Sequence, residues 1–256
     1  MGPFSTVEAI YFDLDDTLCA YWDASKAALK ETFELHGPEG FSAEQMVAHW
    51  ATVFRRFSRT IKTSDWYKNY LKTGEPTRLE QMRMTLAEVG VDDIQCARKL
   101  STSYAKLRDR NLKLFPDGKA ILEWTKGRYP IGLMTNGPAD VQRQEIATLQ
   151  IESYFKHILI EGELGEGKPS LRVFRRAEEF MKKAPEQMLF VGNSYGHDMR
   201  PAIDAGWRTV WVRRPSDVPP SAGKDATPEG QPENAPAPNA IVSELTALKE
   251  LLSQTS

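Results

Sequence analysis

Ala9-Ile10-Tyr11-Phe12-Asp13-Leu14-Asp15-Asp16-Thr17-Leu18-Cys19 runs from four apolar residues straight into a cluster of carboxylates. A short apolar run ended by polar residues predicts a strand buried on both faces, as in a parallel sheet. If the chain stays extended through residue 15, strand alternation sends Asp13 and Asp15 to the same side at the strand's carboxyl end. Two carboxylates sharing one small volume cannot both be ionised cheaply. Either a cation neutralises them or one keeps its proton, and each outcome is useful in catalysis. An isolated Asp-x-Asp is otherwise ordinary turn chemistry, so the reading depends on what the rest of the chain brings to the same edge.

Comparable apolar runs recur at Ile131-Gly132-Leu133-Met134, Ile158-Leu159-Ile160, Met188-Leu189-Phe190-Val191, Thr209-Val210-Trp211-Val212 and Ile241-Val242. From Ile131 onward they alternate with helical patterns at 139–149, 170–183 and 198–205, and a last amphipathic piece at 243–252 closes the layer. This is the rhythm of an open, doubly wound α/β sheet covered on both faces. The stretch between the first two strands differs. Residues 24–35, 43–62, 78–89 and 93–108 carry apolar side chains at three- and four-residue intervals, broken at Gly37-Pro38 and Gly90. The expected organisation is therefore an α/β core of residues 1–19 and 111–256, with an all-helical domain of residues 20–110 inserted after the first strand. Ligand sites in open α/β sheets lie at the carboxyl ends of the strands, so this insertion would hang over the site as a cover. Seven of the sixteen prolines fall between Pro215 and Pro238, and that composition predicts a flexible loop over 215–238.

Length and charge narrow the function classes. The 256 residues, 41% hydrophobic and 27% charged, suffice for one real core and a smaller satellite. A net charge of −2 offers no general positive field for a nucleic-acid backbone or an anionic membrane. No apolar run approaches a bilayer span, and Met1-Gly2-Pro3-Phe4-Ser5-Thr6 has no leader pattern. Cys19 and Cys96 are too few and too far apart for a disulfide framework. The expected location is the cytoplasm, with neither nucleic acid nor membrane as partner.

The later strands end in residues that suit an anion and a hard cation. Met134-Thr135-Asn136-Gly137 places a hydroxyl, an amide and a flexible backbone at the sheet edge. Lys168, within Gly165-Glu166-Gly167-Lys168-Pro169, could carry its ammonium to a charge there. Val191-Gly192-Asn193-Ser194-Tyr195-Gly196-His197-Asp198 returns an amide and a carboxylate. Oxygen donors of this kind suit Mg²⁺ rather than zinc or iron.

Taken in order, an apolar strand with Asp-x-Asp-x-Thr, a strand ending Thr-Asn, a lysine, and a strand ending in Gly-Asn with Asp198 beyond resemble the haloacid dehalogenase superfamily, specifically its phosphatases. The resemblance covers residues 7–19 and about 112–212, plus the final strand and helix, and implies a Rossmann-like core with a helical cap. It implies that Asp13 is the nucleophile that becomes an aspartyl-phosphate, and that Asp15 is first acid and then base. Thr135 and the backbone near Asn136 would hold the transferring oxygens, and Lys168 would offset the charge of Asp13 and phosphate. Mg²⁺ would bind Asp13, the backbone carbonyl of Asp15, and Asn193 or Asp198. Asn193 stands where the family usually has an aspartate, so the site holds one fewer anion. The implied substrate is a small phosphorylated metabolite.

Other residues carry two readings. Trp50 to Lys72 interleaves Arg55, Arg56, Arg59, Lys62, Lys68 and Lys72 with Phe54, Phe57, Trp66, Tyr67 and Tyr70. This is either a positive aromatic wall for substrate or one solvated and one buried helix face, and the second is preferred. Cys19 is expected to pack rather than react, and His197 to face water, while Tyr21 and Trp22 shape either the pocket or a hinge. Two rival functions remain within the superfamily. A metal-independent 2-haloacid dehalogenase would leave Asp15 idle, and a catalytically weakened phosphometabolite-binding protein would rest on Asn193. A phospho-receiver switch would need its nucleophile mid-chain and about half this length.

Overall fold

Six strands form a single all-parallel sheet in the computed structural model, which describes residues 2–223 and 225–253. Residue 224 of the proline-rich segment and the outermost core residues, 1 and 254–256, lie outside them. The strands are β1 (Ala9–Phe12), β2 (Ile131–Thr135), β3 (His157–Ile160), β4 (Met188–Gly192), β5 (Arg208–Val212) and β6 (Ala240–Val242), in the spatial order β3-β2-β1-β4-β5-β6. β1 is central, with Phe12 level with Leu133 on one side and Val191 on the other. The chain winds outward to β3, then returns across β1 to build β4, β5 and β6. The reversal beside β1 makes the carboxyl ends of β1 and β4 the place where a crevice opens.

Alternation along each strand divides two cores. Ile10, Phe12, Leu133, Leu189, Val191, Val210 and Val212 pack on one face, where α6 (Pro116–Thr125) contributes Ile121 and Leu122 and α11 (Leu248–Ser253) contributes Leu248 and Leu252. Ala9, Tyr11, Met188, Phe190 and Trp211 pack on the other, against Val173, Phe174 and Ala177 of α9 (Leu171–Met181) and Ala202 of α10 (Arg200–Asp204). Burial on both faces is why the strands read as unbroken apolar runs. The remaining core-side helices are α7 (Ala139–Leu149) and the single turn α8 (Glu161–Leu164).

Between β1 and α6 the chain is helical: α1 (Tyr21–His36), α2 (Ala43–Ile61), α3 (Trp66–Lys72), α4 (Glu75–Ala87) and α5 (Ile94–Asn111). Ser42 starts α2 with a reciprocal capping box to Gln45, and the Asp93 carboxylate caps α5 by accepting from Gln95 and Cys96 N–H. Leu29, Phe33, Met46, Trp50, Met82, Leu86 and Leu100 form a third apolar cluster, separate from the two that flank the sheet. No helix among the described residues is long and apolar enough to cross a membrane.

The segment between β5 and β6 carries no helix or strand among its described residues, in keeping with its prolines. It is nevertheless tied down at several points. The Asp217 carboxylate accepts from Asn193 Nδ2 at 2.9 Å, the Ser221 carbonyl accepts from Arg55, and the Pro236 carbonyl accepts from the Tyr195 hydroxyl at 2.6 Å.

Candidate active site

Strand β1 delivers Asp13 to the crevice, where its N–H still donates to the Val191 carbonyl at 2.9 Å. The chain then folds back within six residues. Asp16 adopts φ +57°, its N–H donates to the Cys19 carbonyl, and Leu18 and Cys19 N–H both reach the Leu14 carbonyl. This tight return buries Asp13, Asp16 and Thr17 beside one another.

Lys168 lies at the floor of the crevice, 2% exposed, with Nζ 2.6 Å from both Asp13 Oδ1 and Asp198 Oδ1. Burial pulls its pKa down; the two carboxylates outweigh that and hold the ammonium above its ordinary pKa. Asn136 fixes this lysine through its backbone: Nδ2 donates to the Lys168 carbonyl at 2.7 Å, and Oδ1 accepts the Lys168 N–H at 2.8 Å. Gly167 is required for that approach, since a Cβ there would stand 2.4 Å from Asn136 Oδ1. Across the site, Asp198 sits in one π-helical turn, Tyr195–Met199, with Oδ2 accepting the Ser194 N–H at 2.9 Å. A Cβ on Gly192 would fall 2.4 Å from that oxygen, so the glycine lets the carboxylate lie against the strand end.

Asp15 lines the same crevice as Asp13 and also borders the space beneath the helical layer. Its Oδ2 accepts from Gln142 Nε2 at 3.2 Å, and Gln142 also donates to Glu145 and accepts the Thr135 hydroxyl at 2.6 Å. Burial first, and the Asp13 charge second, push the Asp15 carboxyl up to about 6, with the Gln142 hydrogen bond pulling it back. Burial likewise raises Asp13 to about 6 against Lys168, and Asp217 to about 6. Burial, reinforced by the Asp15, Asp217 and Asp13 charges, raises Asp16 to about 9. Several carboxylates thus gather around one buried ammonium, which leaves the site short of positive charge.

That deficit bears on the implied cation. Thr17 Oγ1 lies 3.1 Å from Asp13 Oδ2 and 3.2 Å from Asn193 Oδ1, so the two oxygens converge on one point. Among the described residues no three His, Cys, Asp or Glu side chains form a ready-made cage. A set made of one carboxylate, one amide oxygen and one backbone carbonyl would not form such a cage, and its all-oxygen chemistry fits Mg²⁺.

The sequence-derived residues therefore divide. Asp13, Lys168, Asn193 and Asp198 come together as a single cluster. Asp198 accepts from Lys168 on one oxygen and from the Ser194 N–H on the other, and each oxygen keeps a lone pair that the expected cation could use. Thr135 directs its proton to Gln142, and the Asn136 side chain is committed to Lys168. Their side chains position other groups in this arrangement. Cys19 is fully buried, with Sγ 3.8 Å from Asp15, and burial keeps its thiol protonated. His197 is exposed at the rim of the crevice. In the 50–72 stretch, Arg55, Arg56, Arg59, Lys68 and Lys72 are exposed, while Trp50, Phe54, Lys62 and Tyr70 line the space above Asp15.

Sequence reasoning missed Asp16, Gln142, Glu145, Glu161, Asp217 and Glu229. Glu161, at the end of β3, is buried and accepts from Tyr67 at 2.9 Å and from Gly137 N–H at 3.0 Å, with Lys62 3.0 Å away. Glu229 accepts from Tyr195 and Gly196 N–H and the Ser194 hydroxyl, bracing the π turn. Glu161 alone had a usable signal, since it directly follows an apolar run; the others depend on tertiary approach.

The profile of the haloacid dehalogenase-like hydrolases matches residues 10–212, and the chain belongs to that family. It is a phosphatase-type hydrolase within it. It is 32% identical over 226 residues to the phosphoserine phosphatase of Thermus thermophilus, covering 81% of this chain and 89% of that one. The N-acylneuraminate-9-phosphatase of Rattus norvegicus is 25% identical, over 97% and 94% of the two chains. In fold, a magnesium-bound hydrolase of the family from Bacillus subtilis superposes with a TM-score of 0.70 at 19% identity, covering 96% and 98%.

Proposed function

We propose that this protein is a Mg²⁺-dependent phosphatase that hydrolyses a small phosphate monoester through an aspartyl-phosphate on Asp13, with residues 20–110 acting as a cap. The observation that carries the reading is the pair of 2.6 Å contacts from Lys168 to Asp13 and Asp198, with Asp15 in the same crevice and also bordering the cavity under the cap. Lys168 holds Asp13 in place and offsets its charge as phosphate enters. The Asp13 carboxylate attacks phosphorus as the bond to the leaving oxygen breaks, and Asp15 gives that oxygen its proton. Asp15 then takes a proton from the water that attacks the acyl phosphate, releasing phosphate and restoring Asp13. A carboxyl raised to about 6 suits both duties near neutral pH.

Asp13, the Asp15 carbonyl, and Asn193 Oδ1 or Asp198 would hold the ion. Bound there, Mg²⁺ supplies Lewis-acid withdrawal of charge from the phosphoryl oxygens. The anion that Asn193 lacks stands directly behind it in Asp217, 2.9 Å from its amide nitrogen, which supports metal use over a weakened binding site. A dehalogenase would have no use for Asp15, and the buried Gln142 hydrogen bond that orients it favours phosphate transfer. Relatives named for phosphoserine, N-acylneuraminate 9-phosphate and glyceraldehyde 3-phosphate share only a small monoester.

The test is phosphate release from p-nitrophenyl phosphate and a panel of sugar and organic-acid phosphates, with and without Mg²⁺. Asp13→Asn is expected to lower kcat by about 10⁴-fold, and Asp15→Asn by about 10²-fold or more. Full activity in Asp13→Asn overturns the assignment of the nucleophile, and activity indifferent to chelation overturns the role of the metal.

A further inference from the structure

Above Asp15 lies a cavity of about 320 Å³ between the cap helices and the Asn136-Gly137-Pro138 loop. Asp15 lines it as well as the crevice around Asp13, so a leaving group protonated by Asp15 can extend into it. Its apolar wall is Trp50 stacked on Phe54, with ring centroids 4.8 Å apart, and Tyr104 tilted against Trp50. Two guanidinium groups enter from different helices, Arg78 from α4 and Arg108 from α5.

These two arginines are unequally satisfied. Arg108 is buried and shared by Asp109 at 2.8 Å and Glu145 at 3.7 Å. The Arg78 guanidinium makes no hydrogen bond or ion pair among the described residues, and its Nε is buried without a partner. The indole Nε1 of Trp50, a residue only 2% exposed, is also unpartnered. A half-enclosed guanidinium beside a second one is costly unless something anionic completes it. Burial first and the Arg108 charge second depress its pKa, only partly offset by Tyr104, Asp140 and Glu75, none of which bonds to it. One guanidinium without a bonded partner matches one negative charge, and its planar fork matches a carboxylate in two parallel hydrogen bonds. A second phosphate would bring about twice that charge to a wall that already holds Asp15 and, behind it, Glu145.

We propose that the cap cavity is an acid-binding subsite in which Arg78, supported by Arg108, grips a carboxylate on the leaving group, so that the preferred substrates are phosphate monoesters of small hydroxy acids. This rests on the phosphatase reading above and narrows it. The cavity lies at the lower end of ligand-pocket sizes, which restricts the leaving group to a small body against the Trp50 and Phe54 rings.

The experiment compares kcat/KM for matched pairs: 3-phosphoglycerate with glycerol 3-phosphate, and phosphoserine with phosphoethanolamine. The wild-type protein is expected to favour the acid by at least about ten-fold in each pair, and Arg78→Gln to bring the ratio within about three-fold. Arg78→Lys, which keeps charge but loses the fork, should fall between them. A wild-type ratio near unity, or a preference that survives Arg78→Gln, overturns the proposal. If Arg78→Gln does not fold, inhibition of wild-type p-nitrophenyl phosphate hydrolysis by glycerate against glycerol decides it. Selective inhibition by glycerate supports the subsite, and equal inhibition overturns it. Absence of phosphate release from every monoester overturns the phosphatase reading and this inference with it, whereas hydrolysis without acid preference sinks only the inference.

Discussion

Asp16 shows how much the site costs the fold. It is 2% exposed, sits at φ +57°, and spends Oδ1 on the Trp22 N–H at 3.1 Å. In the folded chain it keeps its proton to about 9, against about 4 in an unfolded one. The folded state therefore binds the extra proton throughout that interval, and stability is lost as pH rises through it. Metal-free protein should consequently resist urea better at pH 5 than at pH 8. Asp16→Asn, which keeps the acceptor and tolerates a left-handed backbone, should raise stability at pH 8 by at least about 1 kcal/mol; no gain would mean that Asp16 is not the group responsible. Residues such as Asp13, Asp15, Lys168, Asn193 and Asp198 were legible because each follows an apolar run or a glycine-bracketed turn. Gln142 and Glu145 were not, because polar residues on an amphipathic helix ordinarily face water, and only the fold turns these two toward Asp15. Asp217 was hidden for a different reason: it lies in a segment whose composition says only that it forms no regular structure.

At the level of elements, the strands were readable almost to the residue, since sheets buried on both sides impose continuous apolar runs. Helices α3, α6 and α8 were not distinguished; α3 and α8 span only seven and four residues, too few for a periodic signal. The π turn at Tyr195–Met199 is also invisible locally, where 198–205 reads as plain helix. Its Met199 N–H reaches back to the Ser194 carbonyl at 3.2 Å, and three groups at its start converge on Glu229. Because this turn carries Asp198 and follows Asn193, Glu229→Ala should raise the Mg²⁺ concentration for half-maximal activity by about ten-fold, as loss of an outer support does elsewhere. A magnesium titration of phosphate release checks it, and an unchanged midpoint would show that the turn holds itself.

Across the whole molecule, Arg214 knots together distant parts of the core. Its Nη2 donates to the Thr17 carbonyl at 3.2 Å and pairs with Asp117 at 2.8 Å, while Asp117 also accepts the Leu245 N–H and the guanidinium covers the Phe115 ring. Arg214→Ala strands the half-buried Asp117 carboxylate and should cost about 2 kcal/mol in urea denaturation. The helices of residues 20–110, by contrast, have their own apolar cluster, and beside the apolar contacts of Tyr21 and Ala24 they meet the core through polar fastenings. Lys62 and Tyr67 reach Glu161, Thr73 and Gly74 N–H reach Asp140, and Arg55 reaches the Ser221 carbonyl. Latches of this kind weaken as mobile ions crowd around them, while oily contacts do not. Ionic strength thus becomes a handle on how firmly these helices are moored: brine should loosen that seam long before it disturbs the sheet.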